Sequence, residues 1–458
     1  MPPDSPLLPS DLGQQAHSSQ GGGSPGKAAH SGFRHIMGNL GHLLAGKAGA
    51  GLISLVYLLI VTHSLGARGY GLIVLLNGSV VLVGSIVAFS GFHGVVRYGA
   101  LALEEQDRPG FAAIARFMTV IELVFGLFAI AIAAGTIALL LPRFGWPSDL
   151  TGLALLYSLA VIGTVRATPQ GILQVAGRFD LIGLHQLASP LVRLVGSLLI
   201  WGMGGGLADF VWVWLLSSVA EGVVMWLLAI PTWRALAHGE NFRGPWRHVP
   251  RRAPGFMRFI ISTNLDITVK ELAPNLAPLT IGGFLGPAAA GLYALTQRAS
   301  TVLAQPAQAL GQASYAVLAR QAAAGSFAQL SQSVWKSVGL SMLVGVPIIA
   351  LFALFGRQIL GWLGGGSFED GAILLVLIGI ARLGTLVAAP LASGLTALGH
   401  PQRSMTISLV TNFGLYPLLP VMLWLLGQNG AGWHALLQNG VALIALAISF
   451  RRMLYRQL

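Results

Sequence analysis

The chain has 458 residues, of which 54% are hydrophobic and 9% charged, with a net charge of +12 and a mean hydropathy of +0.73. Soluble domains carry about 25% charged residues, so a water-exposed surface this poor in charge is excluded, and the chain reads as a polytopic membrane protein. There is no cysteine, which excludes structural disulfides, thiolate metal sites and cysteine nucleophiles.

Residues 1–32 are rich in Gly, Ser, Pro and Gln, have no sustained apolar run, and are expected to form a disordered cytoplasmic tail. Apolar runs between turn signals then give about 12 spans. The first covers 37–63 and contains Lys47; LGARGYG (65–71) turns into the second, 72–95, which ends at Arg97. The third, 113–140, contains Glu122, the fourth, 151–173, Arg166, the fifth, 184–203, Arg193, and the sixth, 208–231, Glu221. A basic loop at 232–255, with Arg234, Arg243, Arg247, Arg251 and Arg252, divides the chain. Spans seven and eight, 256–283 and 288–318, flank FLGPAAAG, and the eighth carries Arg298. The last four lie at 333–355, 370–391, 404–426 and 430–450, with Arg382 in the tenth. The fold class is therefore all-α, with a six-helix bundle at 33–231, a basic cytoplasmic linker at 232–255 and a second bundle at 256–458.

Lys and Arg concentrate in one set of loops and in both tails, leaving little beyond Arg68, Arg143 and Arg357 on the other side. That asymmetry predicts that both termini are cytoplasmic. It also accounts for the positive charge without nucleic acid, since the linker suits anionic lipid headgroups and no soluble domain displays stacking aromatics. Trp146, Trp233, Trp362 and Trp433 near span ends are expected to anchor at the interface, as are most of the eleven histidines, of which His63, His185 and His434 sit at span ends or in loops.

The seventh span holds Asp266, Lys270 and Glu271 mid-way, followed by Pro274 and Pro278. A mid-bilayer charge costs on the order of 3 kcal/mol even on mild scales. Prolines free backbone groups that lipid cannot satisfy, so the span is expected to line protein or water. Asp266 can pair with Lys270 at i,i+4; alternatively Asp266 and Glu271 are candidates for a coupling proton or sodium ion. Lys47, Lys270 and Arg298 are expected to line a cationic cavity, with Arg382 and, at its inner end, Arg97, which alternatively is a positive-inside anchor. Glu122, Arg166, Arg193 and Glu221 either line that cavity or pair between helices. The glycine run at 202–206 lacks the Lys-Ser/Thr of a phosphate-cradling loop, and there is no HExxH or GxSxG. No cofactor is expected.

Two marks recur along the chain. Leu65-Gly66 through Gly71-Leu72 returns as Leu285-Gly286 through Gly291-Leu292, and TPQGILQVAGR (168–178) matches APLASGLTALGH (389–400) at its proline and late glycine. Their similar displacement predicts two parallel six-helix repeats with a site between them. VYLLIVTHSLGARGYGLIVL followed by FSGFHGVVRYGA resembles the opening helix pair of Wzx-type polysaccharide flippases of the multidrug/oligosaccharidyl-lipid/polysaccharide (MOP) superfamily. The basic middle loop, LGPAAAGLYAL and ALGHPQRS extend the resemblance over nearly the whole chain after residue 33. The resemblance implies a MATE-like fold in a bacterial inner membrane, around a cavity that alternates its opening. It implies a transporter, not an enzyme, that carries undecaprenyl-diphosphate-linked oligosaccharide to the outer leaflet beside polymerase and assembly proteins. A cationic pocket suits a lipid diphosphate. A membrane glycan polymerase or ligase is the alternative from another class, but it needs a sizeable external loop, and the longest here is 356–369. A drug/cation antiporter of the same superfamily is a third reading, and it needs an acid-dominated cavity.

Overall fold

The computed structural model describes residues 25–241, 244–252 and 255–456, and their side chains except at 25–45, 251–252, 270, 273–274 and 302–316. The first 24 residues of the expected tail thus lie outside it, and its remainder already belongs to a helix. Pro25–Val87 is one helical stretch that Gly66, at φ 64 and ψ −175, divides into α1 (25–65) and α2 (67–87). After α2 come α3 (Arg108–Leu140), α4 (Ser148–Val175), α5 (Phe179–Met203) and α6 (Leu207–Ala237). Past the linker are α7 (Phe256–Leu285), α8 (Pro287–Ala323), α9 (Phe327–Gly364), α10 (Ala372–Ala397), α11 (Pro401–Gly414 with Leu418–Leu426) and α12 (Asn429–Tyr455).

Among the described residues, eight helices are long and apolar enough to cross a membrane, or nine if the bent α11 counts as one span. Gly46–Val87 counts there once although Gly66 breaks it. The 30-residue α7 and 37-residue α8 have the length but carry too much polarity. All twelve expected spans thus coincide with a helix, whole or broken. Large apolar side chains such as Leu127, Leu139, Leu343 and Leu354 stand exposed on outer faces, as lipid contact demands.

Three spans are not continuous helices. Past Val87 the second resumes as Phe92–Gly94, a π-helix at Val95–Gly99, and Ala100–Glu104. The fourth passes through a 3-10 stretch at Tyr157–Thr164 before Ala167–Val175. In α11 a π-helix at Val410–Gly414 precedes a 49° bend. Such breaks free backbone groups that need partners inside the protein. Those in α2 are met by α7: Asn264 Oδ1 accepts from the Ser90 N–H at 2.7 Å, its Nδ2 donates to Ser90 O at 3.1 Å, and Thr268 Oγ1 donates to Ser85 O at 3.0 Å.

The largest apolar core runs from Tyr57 and Tyr70 through Phe210 and Trp214 to Leu292, Phe368 and Leu423, so it joins the first six helices to the last six. Within it α2 and α8 cross at glycines. A Cβ at Gly71 would overlap the carbonyl of Pro287, and one at Gly291 the carbonyl of Ala67. These are the glycines of the first recurring mark. Left-handed turn residues recur in the same order: Gly66, Gln106, Gly145, Gly177 and Gly204 precede Gly286, Gly325, Gly365, Gly399 and Gly427 at a nearly constant displacement. Gly66 and Gly286 (φ 86, ψ 173) occupy a region open essentially to glycine alone.

Three expectations need correction. Trp233 is buried among α3, α6 and α7 rather than anchored at an interface. His185 and His434 are buried, each with Nε2 on a backbone carbonyl, of Glu221 at 2.7 Å and of Leu415 at 3.0 Å. Helix α9 runs on to Gly364, so the supposed loop at 356–369 shrinks to a short 3-10 connection, Gly366–Gly371. Proximity to a span end does not decide burial where helices extend past the apolar run. The glycine crossing makes a direct prediction. Gly71→Ala is expected to cost about 1–3 kcal/mol and lower the melting temperature of the purified protein. Gly440→Ala, whose Cβ meets nothing, is expected not to. Equal melting of the two would mean that α2 and α8 do not touch there.

Candidate cationic site

In a low-dielectric interior a charge is held by an opposite charge, by several hydrogen bonds, or by an aromatic face. The intramembrane charges divide along those lines. Glu122 on α3 is fully buried and accepts the backbone N–H groups of Ala167 at 2.7 Å and Thr168 at 2.9 Å. It thereby caps Ala167–Val175 where α4 breaks, and the first amides of a helix favour an anion. Arg166, next to that break, forms an ion pair with Glu221 of α6, both half-buried. These three serve the architecture of α3, α4 and α6.

Arg193 on α5 is held differently. Its Nε donates to Ser217 Oγ at 2.9 Å and its Nη1 to Tyr57 Oη at 3.5 Å, and its guanidinium lies 4.8 Å from the Trp214 ring centre. Tyr57 meets Trp214 edge-on at 5.6 Å, which fixes the pocket's aromatic wall. Arg298 on α8 is exposed. The structure thus holds Arg193 by a hydroxyl, a phenol and an indole and leaves Arg298 exposed. Among the described residues neither has a carboxylate within ion-pair distance.

The other candidates are dispersed. Lys47 is exposed on α1, beside Gly46, which packs directly on Gly183 of α5. Arg97, also exposed, sits 4.6 Å from the Phe259 ring centre and so ties the broken end of α2 to α7. Asp266 is half-buried and Glu271 exposed on α7. The Lys270 side chain lies outside the described residues, so the Asp266–Lys270 pair does too. Arg382 on α10 donates from Nη2 to Gln297 Oε1 at 2.7 Å and lines a separate cavity among α7, α8, α10, α11 and α12.

Tyr57, Trp214, Ser217 and Gln297 escape a reading that looks for charges, although polar residues in apolar runs were the available signal. Glu122→Ala is predicted to leave two buried amides without an acceptor, at about 1–3 kcal/mol. Thermal melting checks this: Glu122→Ala should melt well below wild type and Glu122→Gln between them, and three equal curves would remove its capping role.

Comparison with known proteins agrees with this architecture. Residues 65–371, more than half of the chain, match the model of a family described as polysaccharide biosynthesis protein. The inner membrane protein YghQ of Escherichia coli (strain K12) is 27% identical over 287 residues, covering 63% of this chain and 81% of that protein. Among solved structures, an inward-facing multidrug resistance MATE family transporter of the MOP superfamily superposes with a TM-score of 0.70 at 15% identity, covering 89% of this chain and 94% of its own. The Vibrio cholerae MATE transporter VcmN in its bent form gives 0.54 at 16% identity, covering 93% and 98%. At such identities the structural matches establish the fold alone. The chain is a multi-pass membrane protein of the polysaccharide biosynthesis protein family, with the all-α fold of the MATE transporter structures on which it superposes.

Proposed function

We propose that the protein carries undecaprenyl-diphosphate-linked oligosaccharide from the inner to the outer leaflet of a bacterial cytoplasmic membrane, by alternating access, for surface polysaccharide synthesis. One observation carries the reading. Arg193, Arg298 and Lys47 lie on the spanning helices, and among the described residues none has a carboxylate within ion-pair distance. Uncompensated positive charge in a bilayer calls for an anionic ligand or water. A lipid diphosphate supplies about two negative charges, and guanidinium groups bind phosphate oxygens bidentately. A drug cation would be repelled by the same groups, which weighs against an antiporter. The short connection between α9 and α10 weighs against a polymerase with an external catalytic loop.

Two six-helix halves, 33–231 and 256–458, are part of this proposal, with the linker 232–255 between them. The five matched left-handed turns and the Gly71–Gly291 crossing support it, because a duplicated chain repeats its turns as well as its spans. Arg193 on α5 and Arg298 on α8 then belong to different halves, and Lys47 and Lys270 are proposed to join them in lining the path. Asp266 and Glu271 stay candidates for the coupling ion. The basic loops support cytoplasmic termini, and the relative from E. coli is named as an inner membrane protein.

Deletion of the gene is expected to leave diphospholipid-linked repeat units on the cytoplasmic side. Unpolymerised units outside the cell would instead support the polymerase. Arg298→Ala and Lys47→Ala are each predicted to abolish export while the protein still inserts at normal abundance. Wild-type surface polysaccharide from both variants would remove the cationic path.

A further inference from the structure

The cavity around Arg382 has neither Arg193 nor Arg298 in its lining and has its own chemistry. It lies within the last six helices, with a volume of about 170 Å³. Arg382 supplies the charge, while Tyr293, Asn412, Tyr416 and Asn439 supply polar groups. No Asp or Glu lines it, and among the described residues none lies within ion-pair distance of Arg382.

The hydrogen bonds run in one direction. A guanidinium can only donate, so Gln297 must turn its Oε1 toward Arg382, as observed at 2.7 Å. The Gln297 amide nitrogen then faces Tyr293 and donates to its Oη at 2.7 Å. Tyr293 is thus an acceptor in that bond, and its own proton is left for another group. On the opposite wall, the carbonyls that the break in α11 releases are already taken. Gln438 Nε2 donates to Thr411 O and Asn412 O at 3.3 and 3.2 Å, and His434 meets Leu415 O at 3.0 Å. A cation entering the cavity would meet a fixed positive charge and a hydroxyl oriented as a donor. A negatively charged guest would meet a counter-charge and that donor together.

We propose that this cavity binds a small monovalent anion of halide size, held by the Arg382 guanidinium and the Tyr293 hydroxyl. The volume takes such an ion with a few waters and excludes a sugar diphosphate with its prenyl chain. The site therefore does not depend on the proposed substrate. It also gives the last six helices an ion requirement opposite in sign to that of a carboxylate-based sodium site.

The test uses the full-length protein in lipid nanodiscs, its melting followed by tryptophan fluorescence, in sodium chloride or bromide against sodium gluconate at constant ionic strength. Wild type should show a saturable rise in melting temperature with either halide and none with gluconate. Arg382→Gln should weaken halide binding at least tenfold. Tyr293→Phe should weaken it several-fold; because it also removes the acceptor of the Gln297 amide, each variant's halide-induced rise is read against its own halide-free melting temperature, and this second variant keeps the test decisive where Arg382→Gln folds poorly. Arg298→Gln should retain the halide response. Inorganic pyrophosphate is the second arm, and it should not compete with chloride in Arg298→Gln. Absence of a halide-specific rise, its survival in both cavity variants, or its loss in Arg298→Gln would each overturn the assignment, as would pyrophosphate competition in Arg298→Gln.

Discussion

A charged side chain inside a bilayer must be neutralised, hydrogen-bonded or hydrated, and the arrangement of this protein follows from how each charge meets that demand. Glu122 is spent on the amides at the break in α4, and Glu221 on Arg166. Once these carboxylates are occupied, Arg193 is held by an indole and a hydroxyl and Arg382 by an amide, and among the described residues neither these nor Arg298 has a carboxylate within ion-pair distance. That residue of positive charge separates this interior from one built to carry cations. It is the physical basis for proposing an anionic lipid head as the substrate and a small anion in the Arg382 cavity.

The helices that hold these charges are fixed by backbone constraints as much as by side chains. α2 is tied to α8 where Gly71 and Gly291 let two backbones touch, and to α7 where Asn264 satisfies the broken strand of hydrogen bonds at Ser90. Phe256 and Phe259 close over Tyr98 at the same end, with Arg97 stacked on Phe259. These seams add to the apolar core that joins the first six helices to the last six, and the alternating access proposed above would need such packed contacts to switch between discrete arrangements.

Much of this was legible in the chain itself. Hydropathy and turn signals located every span, since a bilayer imposes a length that composition reveals. The recurrence of Leu-Gly and late glycines pointed to the turns where the left-handed residues sit. The breaks in α2, α4 and α11 were not legible, because what stabilises them is tertiary: Asn264 from α7, Glu122 from α3, and Gln438 and His434 from α12. For the same reason, a list of intramembrane charges did not distinguish Arg166, which has a carboxylate partner, from Arg193, which has an indole. Residues near span ends were misjudged, as Trp233 and His434 show, because the helices continue beyond the apolar runs that reveal them.

The central claim is that Arg298 faces an aqueous space able to take a diphosphate. The chain has no cysteine, so a single cysteine at position 298 reports without background. In inverted membrane vesicles, with the cytoplasmic face outward, a membrane-impermeant thiol reagent should modify it, and a short-chain prenyl diphosphate should slow that modification at micromolar concentrations. A cysteine at 298 that is inert to the reagent from both faces of the membrane would contradict the account.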